Sequence, residues 1–289
     1  MATAPLRDPA PLDAARQLGL ERELAVALDA ARRAGAIQVE RYERLERIVH
    51  KSAHDVVTEV DTLSEELIIA TIRATFPTDL FLAEESGHSG HSDHMGRPAA
   101  AAAPAAMADR LWVIDPLDGT VNYANGIPIF CVSIGLVVGG QPRVGVLLDP
   151  ARDDLYCAVA GGGAFLNDVP IHLPVKEKLS DCVVFLALPP YGFARREWRI
   201  RKRIRVSRVL GSSALGLAYV GNGRFDAFVQ PRGLSPWDVA AAGLIAQEGG
   251  ATVTDGEGGQ WFDLERASRG VGILAAAPAH HATLLEHLR

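Results

Sequence analysis

Leu111-Trp112-Val113-Ile114-Asp115-Pro116-Leu117-Asp118-Gly119-Thr120-Val121-Asn122-Tyr123 is the stretch that decides how this chain is read. Leu111 to Ile114 is an apolar run of strand character, and it breaks sharply at Asp115-Pro116. A second carboxylate follows at Asp118, and Gly119-Thr120 leads into a short helix. Two carboxylates at the end of a buried strand are costly unless a cation or a hydrogen-bond network neutralises them. The Gly-Thr step beside them can turn free backbone N–H groups toward an anion, as helix starts do. Hard-cation ligands next to anion-binding amides point to a metal-dependent phosphate site.

Outward from that stretch, the bulk numbers bound the class. With 289 residues, 48% of them hydrophobic, the chain can bury one large core or two modest ones. A formal charge of −6 argues against a nucleic-acid surface, so nucleic acid is an unlikely partner. Cys131, Cys157 and Cys182 lie in apolar segments with no CxxC spacing, which predicts buried free thiols in a reducing compartment. Met1 to Asp13 is Pro/Ala-rich without a basic region followed by an apolar one. The longest apolar run, Ile129 to Val138, is about half what a membrane helix needs. The expectation is a soluble, cytoplasmic protein with no membrane contact.

Residues 1–12 read as a disordered leader. From Asp13 to about Glu46 the apolar spacing of Leu20, Leu24, Ala25, Leu28 and Ala31 predicts a helix, with Gly35 on its packing face. Asp61-Thr62 reads as the cap of a second helix that Pro77 ends. A short strand then runs into Glu84-Glu85-Ser86. Taken alone, paired glutamates there suit a solvated turn better than a site. Residues 86–109 form a flexible insertion. Its His88, His91 and His94 could suggest zinc, but the segment is Gly/Ser-rich and has no Cys, so solvated side chains are the better reading.

Segments 129–138, 143–149 and 154–159 predict an antiparallel meander that completes an N-terminal α+β half over 13–160. The C-terminal half, 161–289, opens on Gly161-Gly162-Gly163. No Gly-Lys-Ser/Thr follows these glycines, so close backbone packing is preferred to a phosphate loop. A basic stretch, 195–208, suits a solvated, oligomer-facing or anion-attracting surface. Leu234-Ser235-Pro236-Trp237-Asp238 enters a small-residue helix. There Pro236 and Asp238 suit the first turn, and Asp238 is a third acidic group at an element end.

Four pieces in order resemble the inositol monophosphatase family, within the magnesium-dependent, lithium-sensitive phosphatases: 55–61 (DVVTEVD), 84–86 (EES), 112–123 (WVIDPLDGTVNY) and 236–241 (PWDVAA). The likeness runs from about residue 15 to the C-terminus. It implies one compact α+β unit, a layered αβαβα sandwich. It also implies Mg²⁺-dependent hydrolysis of a small phosphorylated metabolite, inositol 1-phosphate or a related sugar or polyol phosphate, by in-line attack of a metal-activated water. Homodimerisation is a family expectation.

The resemblance assigns roles residue by residue. Glu84, Asp115 and the carbonyl of Leu117 would hold a first Mg²⁺. Asp115, Asp118 and Asp238 would hold a second, and a third, weaker ion would lean on Glu84. Hard oxygen ligands are what Mg²⁺ requires. Thr120, hydrogen-bonded to Asp61, would orient the attacking water, and the N–H groups of Gly119 and Thr120 would bind phosphate. Glu85 and Lys51 match residues near the family's metals, and Gly211, Ser212 and Ser213 match its substrate-contacting turn.

The departure lies in the substrate region. Inositol-specific members carry a glutamate shortly before the Pro-Trp-Asp motif. Here the aligned position is Pro231, with Gln230 beside it. That opens histidinol phosphate, 3′-phosphoadenosine nucleotides and fructose 1,6-bisphosphate as alternatives, with Arg232 pairing a second anionic group. From another class, a regulatory, RNA-associated protein that keeps the fold could use the basic 195–208 stretch.

Overall fold

The computed structural model describes residues 10–44, 48–52, 55–88, 109–189, 193–266 and 269–289. Five layers stack in the order helix, sheet, helix, sheet, helix, with one apolar cluster under each outer helical layer and a single larger one running through the central helices to both sheets. Helices α1 (Ala10–Gln17), α2 (Glu21–Arg41) and α3 (Glu59–Thr75) form the first layer. A hairpin, β1 (Ile48–Ser52) and β2 (Asp55–Thr58), leads into α3.

The large sheet beneath them is built from β3 (Leu80–Ala83), β4 (Gly87–His88), β5 (Arg110–Asp118), β6 (Cys131–Val138), β7 (Gln141–Asp149), β8 (Asp154–Val159), β9 (Gly163–Leu166) and β10 (Val169–Ile171). Its order is β10-β9-β8-β7-β6-β5-β3-β4, antiparallel except for the β3–β5 pair. Five-residue α4 (Thr120–Ala124) follows β5 directly. Leu24, Ala31, Ile68 and Ile72 from the helices meet Trp112, Ile134 and Val146 from this sheet. Burying each large apolar side chain contributes about 1.5–3 kcal/mol.

The central layer is α6 (Ser213–Gly221) and α7 (Pro236–Glu248). The small sheet below has the order β12-β11-β13-β15-β14, from β11 (Val183–Leu186), β12 (Val206–Arg208), β13 (Ala227–Leu234), β14 (Thr252–Thr254) and β15 (Val271–Ala276). The last layer is α5 (Ala194–Arg201) and α8 (Pro278–Leu288), packed through Ile200, Leu284 and Leu288 onto Val184, Val229 and Leu274. Small residues seat α7. A Cβ on Gly145 would lie 2.7 Å from the Ala241 carbonyl oxygen, and one on Gly135 2.9 Å from Ala240 Cβ. The run Ala240-Ala241-Ala242 is thus a consequence of how closely the helix lies on β6 and β7.

Four sequence expectations change. The single helix expected from Asp13 to Glu46 is two, because Gly19 takes a left-handed φ of +70° between them. Helix α1 also starts at Ala10, inside the expected leader. Helix α3 is capped by Thr58, whose hydroxyl accepts from the Val60 N–H while Asp61, at the third helical position, accepts from the Thr58 N–H. Asp61 is therefore inside the helix and free to work on its inner side. Most of the 86–109 insertion, including His91 and His94, lies outside the described residues. The glycine triplet does hold an anion, but the anion is the protein's own: Gly161 and Gly163 N–H groups each donate to the Glu248 carboxylate at 2.9 Å.

Candidate active site

Strand β5 is in register with β6 from Arg110↔Val138 to Asp115↔Ser133, then slips before Asp118↔Cys131. Pro116, which has no N–H to donate, sits in that slip, and its carbonyl accepts from the buried Gln38 amide at 2.7 Å. The irregular step lets Asp115 and Asp118 both line one cleft of about 170 Å³, together with Glu84, Leu117, Gly119, Thr120, Gly211 and Asp238. Glycine is required at the turn. Gly119 has φ +100°, and a Cβ there would lie 2.8 Å from the Ile129 carbonyl oxygen.

One oxygen from each of Asp115, Asp118 and Asp238 falls within 4.8 Å of the others. Each carboxylate is anchored. Asp115 Oδ1 accepts from the Leu117 N–H at 3.1 Å, and Asp238 Oδ2 accepts from the Ser235 N–H at 2.7 Å. Asp118 Oδ2 accepts from Ser212 Oγ at 2.6 Å and the Ala214 N–H at 2.7 Å. Burial drives the Asp115 carboxyl well above the usual carboxylate range, and Glu84, Asp118 and Asp238 push it further. Asp238 is raised well above that range by burial and then by Asp118 and Glu84. Asp118 is also raised by burial, against the hydrogen bonds it receives. Three anchored carboxylates that each resist ionising without a counter-charge suit a cation, and all donors are hard oxygen.

On the cleft's edge, Thr120 Oγ1 lies 2.9 Å from both Asp61 Oδ1 and the Leu117 carbonyl oxygen. Asp61 is 1% exposed and accepts at Oδ2 from Thr58 N–H at 2.8 Å and Thr58 Oγ1 at 2.6 Å. Burial raises its carboxyl to about 6, against those Thr58 and Thr120 hydrogen bonds. A hydroxyl carries one proton, so Thr120 and Asp61 form a pair through which a proton can move.

Two supporting residues escaped the sequence reading. Glu65 receives the N–H groups of Glu85 and Ser86, each at 2.9 Å, and so fixes the turn that carries Glu84 into the cleft. Its spacing of four from Asp61 on one helix face was the available signal. Asn122 donates to the Ile129 and Leu210 carbonyls, both at 2.8 Å, stapling α4 to the Gly211 loop. Glu85 does not line the cleft, although its charge reaches Asp61. The side chain of Lys51 lies outside those described.

On the substrate side, Gln230, Pro231 and Arg232 part company. Along β13, Phe228 faces the core between the sheets and Val229 the outer core, so alternation sends Gln230 inward and Pro231 outward. Ser213 Oγ donates to Gln230 Oε1 at 3.2 Å, whereas Pro231 packs against Gly256 and Gly272. Arg232 does not line the cleft either. Its guanidinium sits 5.9 Å from the Phe193 ring, in a separate cavity on the outer side of the small sheet.

Comparison with known proteins decides the family. The profile described as the inositol monophosphatase family matches residues 20–289. This chain belongs to the inositol monophosphatase family. Nus factor SuhB of Pasteurella multocida is 38% identical over 248 residues, spanning 83% of this chain and 87% of the relative. Inositol monophosphatase 1 of Solanum lycopersicum is 36% identical over 257 residues, spanning 86% of this chain and 90% of the relative. The crystal structure of extragenic suppressor protein suhB from Bartonella henselae superposes with a TM-score of 0.81 at 31% identity, covering 93% of this chain and 98% of that one. As a member of the inositol monophosphatase family the chain is a phosphoric monoester hydrolase, with the family's layered α+β fold. No helix among the described residues is long and apolar enough to cross a membrane.

Proposed function

We propose that this protein is a Mg²⁺-dependent phosphomonoesterase acting on a small phosphorylated metabolite, inositol 1-phosphate or a related sugar or polyol phosphate. The observation that carries the reading is the convergence of Asp115, Asp118 and Asp238 within 4.8 Å, at a left-handed glycine turn. That donor set, all carboxylate, with Asp115 buried and Asp118 and Asp238 half-buried, fits a hard divalent cation. Glu84, Asp115, the Leu117 carbonyl, Asp118 and Asp238 would hold it. When bound, Mg²⁺ supplies charge stabilisation at the phosphoryl group and lowers the pKa of water.

The chain's own groups do the positioning. Gly119 and Thr120 N–H groups face the phosphate oxygens. Thr120 Oγ1 orients the attacking water and hands a proton toward Asp61 Oδ1, whose carboxyl at about 6 stands near working pH. Ser213 and Gln230 meet the alcohol side of the substrate. Gln230 then takes the place where inositol-specific members carry glutamate, so a neutral amide replaces a carboxylate acceptor.

Phosphate release from the purified full chain tests this reading, with and without Mg²⁺, across inositol 1-phosphate, histidinol phosphate, 3′-phosphoadenosine nucleotides and fructose 1,6-bisphosphate. Mg²⁺-dependent release that Asp118→Asn abolishes is the expected result, and unchanged release in that variant overturns it. The name Nus factor carried by the Pasteurella relative motivates a second reading, a regulatory role exerted through a partner. Complete absence of phosphate release across the panel favours that second reading.

A further inference from the structure

The acidic cleft is not the largest cavity among the described residues. A cavity of about 890 Å³ opens on the outer side of the small sheet, against α5 and the end of α8. It shares no lining residue with the cleft, and the sheet stands between them. Arg196, Arg232, Arg266, Arg269 and Arg289 line it, against the carboxylates of Asp255 and Glu257. Asp255 is already committed: it accepts from Arg266 at 2.7 Å and from the Glu257 and Gly259 N–H groups.

Among the described residues two of the guanidinium groups, those of Arg232 and Arg289, have no carboxylate partner. Arg196 donates to the α-carboxylate of Arg289, the last residue, at 3.4 Å, and Arg289 donates to the main-chain oxygen of Glu257 at 2.7 Å. Among the described residues neither they nor Arg232 forms a salt bridge with a side-chain carboxylate. Arg196 and Arg232 both sit on the Phe193 ring, at 4.8 and 5.9 Å from its centroid. Crowding like charges around one concavity, in a chain of net charge −6, costs free energy that an anion held between them offsets.

We propose that this cavity is a second ligand site, for a small anion bearing two or more phosphate groups. Guanidinium forks suit phosphate oxygens in bidentate pairs, and the volume lies within the range of small-molecule sites. Among the described residues the cavity has no free aromatic face for a base, because Phe193 is 8% exposed and covered by two arginines. Its wall is continuous with the active-site helix: Arg269 N–H donates to Ser235 Oγ and its carbonyl accepts from Gly233 N–H, each at 3.2 Å.

Calorimetric titration of the full chain with pyrophosphate at physiological salt tests the site. Without added divalent cation the carboxylates of the cleft repel anions, so binding reports the arginine cavity. The expectation is one saturable event, weakened at least about tenfold in Arg196→Gln/Arg289→Gln. Arg199→Gln/Arg203→Gln, which removes two neighbouring charges outside the cavity, should change affinity less than about twofold. Absence of saturation in the wild type overturns the proposal. Equal weakening in both double variants also overturns it, since that marks a diffuse basic face. Should the cavity double variant melt, Arg232→Gln reads the same event, and an affinity like wild type there is a refutation.

Discussion

Asp118 Oδ2 accepts a hydrogen bond from Ser212 Oγ at 2.6 Å, and so a side chain of the large-sheet half is held by the first turn of α6 in the other half. The Ala214 N–H joins it at 2.7 Å, while Asn122 reaches across to the Leu210 carbonyl at 2.8 Å. The cleft is therefore a joint between the halves. Aligning Asp118 with Asp115 and Asp238 depends on α6 docking beside α4.

Ser212→Ala tests that dependence. The serine is fully buried, and its hydroxyl serves a charged acceptor, a bond worth about 1.5–3 kcal/mol. Removing a partner that orients a metal-binding carboxylate weakens affinity by about 10- to 100-fold in general. The Mg²⁺ concentration for half-maximal phosphate release should rise by at least about tenfold, with circular dichroism unchanged. A variant with wild-type Mg²⁺ dependence would show that Asp118 is aligned by other contacts.

The pairing of Thr120 with Asp61 leads to a different kinetic signature. Neither side chain anchors the trio, so Thr120→Val should spare Mg²⁺ half-saturation and KM. Loss of an oriented proton carrier should lower kcat by about 10²- to 10⁴-fold, and Thr120→Ser should recover most of it. Steady-state kinetics on the three proteins decide the matter. A rise in KM with kcat intact would move Thr120 from catalysis to substrate binding.

Much of this site was legible before any coordinates. Asp115, Asp118 and Asp238 announce themselves because carboxylates at the ends of apolar runs are improbable without a purpose. The five-layer order followed from a resemblance, and the meander from period-two runs between turns. What stayed hidden depends on geometry that no local pattern encodes. Gly19 interrupts an otherwise continuous helical pattern. Glu65 looks like any solvated helix glutamate until the 84–86 turn folds over it. The position before Pro-Trp-Asp was placed at Pro231 by counting along the chain. Which of Gln230 and Pro231 faces inward is a matter of strand alternation, and the pairing of β13 with β15 has an irregular step between Gln230 and Leu234 that no count along the chain reads.

Asp61 also sets a dependence of stability on pH. Burial lifts its carboxyl from the ordinary 3.8 to about 6 in the folded protein. Between those values the native state holds a proton that the unfolded chain has lost. Stability from this group is therefore complete below pH 3.8 and is lost as pH rises through 6. The shift corresponds to about 3 kcal/mol. Urea unfolding of the metal-free protein should give a lower midpoint at neutral pH than near pH 5, and Asp61→Asn should flatten part of that slope. An identical slope in wild type and variant would clear Asp61 of any role in it.

Gln230 and Pro231 make opposite claims on substrate choice, and two substitutions separate them. Ser213 donates to Gln230 Oε1 at 3.2 Å, which fixes the amide on the inner side of β13. Pro231 packs outward on Gly272. A carboxylate at 230 regains a charge-assisted acceptor for ring hydroxyls, worth about 1.5–3 kcal/mol. Gln230→Glu should raise kcat/KM for inositol 1-phosphate by at least about tenfold, chiefly through KM, and leave less hydroxylated substrates unchanged. Pro231→Glu should give no such gain, because its side chain enters the outer cavity. A gain from Pro231→Glu with none from Gln230→Glu would reverse the assignment and restore the simple count along the chain.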